Sequence, residues 1–160
     1  MSTPTTHLLI DGSNVLHAWP DTRALARRDQ QAAKALLVRT VGVLHDLCGW
    51  RITVVFDGRG DALQVESVGD AADFACVHSP AGATADDIIE QLVGRATEPA
   101  RCLVVTADRA ERTTVEAAGA VSCDPAELLS RIHAASTQQT RTVARNNEEA
   151  EQAWRHGGKP

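Results

Sequence analysis

His7-Leu8-Leu9-Ile10-Asp11-Gly12 (HLLIDG, residues 7–12) is a short apolar run that stops at an aspartate and a glycine. Two runs of the same kind follow. Arg51 to Phe56 (RITVVF) leads into Asp57-Gly58, and Arg101 to Thr106 (RCLVVT) leads into Asp108. Such segments are continuously apolar rather than alternating, as expected for strands of a parallel sheet with helices on both faces. Phe74 to Val77 and Ala120 to Cys123 are shorter strand candidates.

Helical patterns fill the intervals. Within Gln31 to Cys48, the residues Leu36, Leu37, Val41, Leu44, Leu47 and Cys48 recur at three- and four-residue spacing, and Gly49 ends the pattern. Thr84 to Ala96 carries Ile88, Ile89, Leu92 and Val93 on one stripe; Arg109 to Ala118 is a weaker helix stopped by Gly119. Asp124-Pro125-Ala126-Glu127 is a helix start, with a capping acid, a proline in the first turn and a glutamate placed for a capping box. Strand and helix alternate, which specifies an α/β layered sheet with right-handed crossovers. Residues 1–135 read as one domain. From Ser136 to Pro160 the chain is polar and reads as a mobile tail with some helix, Trp154 being its large apolar group.

Composition excludes several classes. A formal charge of −5 argues against coating nucleic acid by bulk electrostatics, although a local basic patch stays open. No stretch approaches the ~20 apolar residues of a membrane span. The N-terminus has no basic segment followed by an apolar one, so a cytoplasmic protein is expected. Cys48, Cys76, Cys102 and Cys123 are far apart and lie in or beside apolar runs, which reads as buried free thiols in a reducing compartment.

The informative feature is the placement of acids. Asp11, Asp57 and Asp108 each follow an apolar strand, and in a parallel sheet those ends share the edge where α/β proteins place their sites. Asp86 and Asp87 open a helix that can reach the same edge, so four or five carboxylates would share one crevice. At about 4 Å and an effective dielectric near 20, each like-charged pair costs roughly 4 kcal/mol. Protonation or a cation relieves that cost, and hard oxygen donors select Mg²⁺ or Mn²⁺ over zinc. A divalent ion so held can activate water and stabilise charge on a phosphoryl group, the chemistry of phosphodiester hydrolysis. Each acid also has a plain structural reading. Asp108 can be a helix cap with Glu111 completing its box, and Asp87 can follow a Thr84 cap. Asp11-Gly12 and Asp57-Gly58 are common turn pairs. Asp124, with its complete cap signature, is assigned to structure.

LLIDGSNVLHAWP (Leu8 to Pro20), VVFDG (Val54 to Gly58), ATADDIIEQLV (Ala83 to Val93) and VVTADRAER (Val104 to Arg112) together resemble the YacP-like branch of the NYN domains, within the PIN-like nuclease superfamily. The four blocks occur in the family's order, and the resemblance spans roughly residues 7–135. It implies a PIN-like three-layer α/β/α sandwich with a mostly parallel central sheet. The implied activity is a Mg²⁺- or Mn²⁺-dependent endoribonuclease acting on RNA, free or presented by a ribosome. By the same resemblance Asp11 is the first metal ligand, with Asn14 beside it as ligand or substrate contact. Asp86 and Asp87 match the acidic pair and Asp108 the later acid; Asp57 either joins them or supports them. Ser13 stands where the family often has tyrosine, which changes how a base is held.

Further substrate contacts are expected from Arg59, two residues after Asp57, and Arg109, next to Asp108, where a guanidinium can hold flanking phosphates. Arg23, Arg27 and Arg28 form a compact basic group. Trp19 could stack on a base, but packing is favoured for a tryptophan before proline. His17 is not needed where a metal activates water. The segment from Gly58 to Asp73 reads as a long loop. Three alternatives remain. One is a catalytically silent RNA-binding module of this fold. Another is an adhesion module of the von Willebrand A type, which Val15 disfavours. The third is a haloacid-dehalogenase-like phosphatase, disfavoured by serine at position 13.

Overall fold

A computed structural model describes residues 5–157. The order is β1 (His7–Asp11), α1 (Gly12–Ala18), α2 (Pro20–Ala26), α3 (Gln30–Cys48), β2 (Arg51–Phe56), β3 (Gln64–Ser67) and β4 (Phe74–His78). After these come α4 (Ala85–Arg95), a 3-10 turn (Pro99–Arg101), β5 (Cys102–Val105), α5 (Arg109–Ala117), β6 (Val121–Cys123) and α6 (Pro125–Gly157). One sheet holds the strands in the order β3-β4-β2-β1-β5-β6. All neighbours pair in parallel except β3, which runs antiparallel to β4 at one edge.

Side-chain alternation along the central strands creates two cores. Leu8 and Ile10 of β1 and Ile52, Val54 and Phe56 of β2 point to one face, against Val15, Leu16, Leu37, Val41, Leu44, Leu128 and Ile132. Leu9 and Val55 point to the other, against Ile88, Ile89, Val93 and Val115. Helices α1, α2, α3 and α6 therefore cover one face, and α4 and α5 the other. The result is the expected α/β/α sandwich, with β1 central and buried on both sides.

Two segments differ from the reading of the sequence, and a third, on which that reading placed no element, is helical. This third segment, Gly12 to Ala26, forms two short helices, α1 and α2, broken at Trp19 because Pro20 starts a new helix and cannot continue the old one. Trp19 is 3% exposed and its Nε1 donates to the Pro125 carbonyl at 2.7 Å, so it locks the start of α6 to the core and is not open to stack on a base. The expected loop from Gly58 to Asp73 contains β3, whose four residues are all exposed. A strand held by backbone pairing to β4 alone carries no apolar signal.

The polar stretch after Ser136 is helical to Gly157, continuing α6; residues 158–160 lie outside the described residues. Its helix grows from a buried first part (Pro125, Leu128, Ile132), and its alanines, glutamates, glutamines and arginines propagate a helix with little cost. All four cysteines are free. Cys102 and Cys123 are buried and Cys76 half-buried, whereas Cys48, at the end of α3, is exposed rather than buried as expected. Among the described residues no helix is long and apolar enough to cross a membrane.

Candidate functional site

Parallel pairing puts the carboxyl ends of β1, β2 and β5 side by side, with Asp11 opposite Val55 and Ile10 opposite Val105. Helices α1, α4 and α5 begin at this edge. Asp11, the last residue of β1, caps α1 by accepting from the Asn14 amide at 3.3 Å. Asp86 lies in the first turn of α4 and Glu111 in the first turn of α5. Asp11, Asp86 and Glu111 each offer a carboxylate oxygen, and these oxygens all lie within 4.8 Å of one another.

Two of the trio are withdrawn from solvent, and Asp86 is half-buried. Asp11 is 6% exposed and Glu111 3%. Neither Glu111 oxygen makes a hydrogen bond of normal geometry, an arrangement that is costly for a buried carboxylate left to itself. Burial pushes the Asp11 carboxyl up to about 6, and the adjacent Asp86 adds to the rise while Glu111 and the Asn14 amide oppose it. Burial pushes Glu111 up to about 9; the nearby Thr106 hydroxyl works against that, and the charges of Asp11 and Asp86 work with it. Three helix N-termini converge here with their partial positive charge, which tempers the repulsion without removing it.

A frame of hydrogen bonds fixes the elements that carry the trio. Asn14 Oδ1 accepts from the Ala107 amide at 2.7 Å, tying α1 to the β5–α5 connection. Asp57 Oδ1 accepts from the Ala85 amide at 2.7 Å, holding the start of α4 one residue before Asp86. Asp108 caps α5, accepting from the amides of Ala110 at 2.9 Å and Glu111 at 3.4 Å. Asp87 and Thr84 form a reciprocal capping box at the start of α4. Beneath Asp11, Gly12 sits on the Phe56 ring so closely that a Cβ there would lie 2.5 Å from Phe56 Cε1. Gly58 is equally confined, since its Cβ would fall 2.0 Å from the Ser79 carbonyl.

Of the acids expected at the site, the fold brings Asp11 and Asp86 together. Asp57, Asp87 and Asp108 are exposed and serve as helix-start acceptors beside them. Ser13 and Asn14 are half-buried in the first turn of α1, and Arg59 and Arg109 are exposed. Glu111 is the member that the sequence reading placed elsewhere, as the partner of a capping box with Asp108. The box does not form, because the Asp108 amide donates to Thr106 Oγ1 at 3.1 Å, and Glu111 turns inward instead. One signal was available: Glu111 is one helical turn before the buried Val115, hence on the inward stripe of α5.

Three converging carboxylates, with both Glu111 oxygens buried and unsatisfied, fit a hard divalent cation of the Mg²⁺ or Mn²⁺ kind. The sequence model of the YacP-like NYN domain matches residues 8–157. The chain belongs to the YacP-like NYN domain family. NYN domains are nuclease-like, and in this YacP-like NYN domain the acidic trio occupies the carboxyl edge of the sheet. The uncharacterized protein YacP of Bacillus subtilis (strain 168) is 26% identical over 138 residues, spanning 85% of this chain and 80% of that one. The crystal structure of Rae1 (YacP) from Bacillus subtilis in its W164L mutant form superposes with a TM-score of 0.73 at 25% identity, covering 91% of this chain and 86% of that one. A further crystal structure of Rae1 (YacP) from Bacillus subtilis shares the fold, with a TM-score of 0.71 at 24% identity over 98% of this chain and 97% of that one.

Proposed function

We propose that this YacP-like NYN domain is a Mg²⁺- or Mn²⁺-dependent endoribonuclease that hydrolyses RNA phosphodiester bonds in the cytoplasm. The observation that carries the reading is the convergence of Asp11, Asp86 and Glu111, with both Glu111 oxygens buried and unpaired. These three residues would hold the ion. A divalent cation there supplies Lewis-acid stabilisation of phosphoryl charge and activates water. The protein's own part is preorganisation. Asn14 fixes α1 against the β5–α5 connection, while Asp57 and Asp108 fix the starts of α4 and α5, so the helix starts that present the ligands are held in place before the ion arrives. Asp87 stabilises the α4 start that presents Asp86. Arg59 and Arg109, exposed on the loop after β2 and at the start of α5, would hold phosphates flanking the scissile one, with Ser13 nearest the ribose or base. Free thiols at all four cysteines suit a reducing compartment.

The test is incubation of the purified chain with single-stranded and structured RNA and DNA, in Mg²⁺, Mn²⁺ or chelator, with a ribosome-bound RNA arm. Internal cleavage of RNA that requires the ion, and is absent in Asp11→Asn, is the expected result. No cleavage of any substrate by a chain shown to be folded would overturn the reading.

A further inference from the structure

An acidic trio repels the backbone it must approach, so a nuclease site needs cations for the neighbouring phosphates. Lys34 is placed for that role. The sixteen Lys and Arg residues include only two lysines, Lys34 and Lys159. Lys34 is half-buried in the second turn of α3, and its Nζ lies 4.8 Å from the centre of the Phe56 ring. Among the described residues no carboxylate lies within ion-pairing distance of it, in a chain with a net charge of −5.

The topology puts this ammonium at the active edge. Helix α3 runs back across the sheet: His45, in its last turn, meets Phe74, the first residue of β4, with ring centres 5.4 Å apart. Its beginning therefore lies over the carboxyl ends of the strands, where Phe56 is the last residue of β2. The same ring that receives Lys34 packs against Gly12, the residue after Asp11. One phenyl ring thus separates the ammonium from the backbone that follows the first acid of the trio. The ring attracts the cation without neutralising it, so the ammonium keeps its full charge for an anion. Arg59, on the loop after Phe56 and Asp57-Gly58, starts from the same edge.

We propose that Lys34 forms a phosphate subsite on the α3 side of the trio, binding an RNA backbone phosphate adjacent to the one cleaved. This rests on the endoribonuclease reading, and its test is made on binding rather than cleavage. A labelled single-stranded RNA is titrated with the full chain in chelator across a range of salt concentrations, and log K is plotted against log salt. A contact to one phosphate of a single strand contributes a slope of about −0.7, or roughly fivefold in affinity at 0.1 M salt. Lys34→Met, which keeps packing on Phe56, is expected to lower the slope's magnitude by that amount and weaken binding about fivefold, while Lys34→Arg keeps both. A Lys34→Met chain that melts normally and binds with unchanged slope would overturn this inference and leave the nuclease reading standing. Failure of the unaltered chain to bind RNA at any salt would overturn both.

Discussion

Glutamine at position 111 retains the shape of the buried side chain but cannot ionise, so Glu111→Gln isolates the electrostatic cost of the trio. In the folded, metal-free chain burial holds Glu111 protonated, its pKa raised from the ordinary 4.5 to about 9. The unfolded chain releases the same proton near the ordinary value. A raised carboxyl pKa means that the folded state is favoured fully below pH 4.5 and loses that advantage as the pH climbs towards 9. Between the ordinary 4.5 and pH 8 the loss is at most ~5 kcal/mol, at about 1.36 kcal/mol per pH unit. Relaxation of the structure around the cluster absorbs part of this, which brings the expected loss to about 1–3 kcal/mol. The variant lacks this contribution and keeps only the smaller one from Asp11, whose carboxyl burial raises to about 6. In chelator its melting temperature should gain on the parent by about 2–12 °C between pH 5 and pH 8, using roughly 2–4 °C per kcal/mol for a chain of this size. Thermal melts followed by far-UV circular dichroism at pH 5, 6.5 and 8 measure this directly. Saturating Mn²⁺ at pH 8 should raise the parent's melting temperature and the variant's much less. A melting difference that stays constant across the pH range would refute the reasoning, since a buried glutamate that costs nothing to ionise is not held in a low-dielectric acidic cluster.

Gly12→Ala drives a methyl to 2.5 Å from Phe56 Cε1 and should destabilise the fold by about 1–3 kcal/mol in urea unfolding. It should also blunt the Mn²⁺-dependent rise in melting temperature by shifting Asp11. Asp57→Ala removes the acceptor for the Ala85 amide and should cost about 0.5–2 kcal/mol in the same assay. Asp57→Asn, which keeps an acceptor oxygen, should retain most of the stability and more of the cleavage activity than the alanine variant.

The sheet was legible because β1, β2 and β5 are buried on both faces and each carries a run of consecutive apolar residues, broken only by Thr53, that does not alternate as a half-exposed strand would. β3 was not legible, since an exposed edge strand is specified by its partner's backbone and not by its own side chains. The polar half of α6 was legible only as some helix for a related reason: apolar periodicity reports burial, and a helix with exposed side chains need not show it. At the site, Asp11 was readable from its place at the end of the central strand, and Asp86 from the acidic start of α4. The division of labour among the acids was not. Whether a carboxylate in a first helical turn points to its own backbone, as Asp87 and Asp108 do, or inward, as Glu111 does, depends on which neighbour satisfies the amides. Here Thr106 takes the Asp108 amide and frees Glu111.

The claim underneath all of this is that Asp11, Asp86 and Glu111 share one hard divalent ion. Crystals of the chain soaked in Mn²⁺ and measured at the manganese absorption edge address it without recourse to activity. The account predicts a strong anomalous peak in direct contact with oxygens from all three carboxylates, absent in Glu111→Gln crystals treated identically. Manganese bound elsewhere on the surface, with these three carboxylates free of it, would contradict the account.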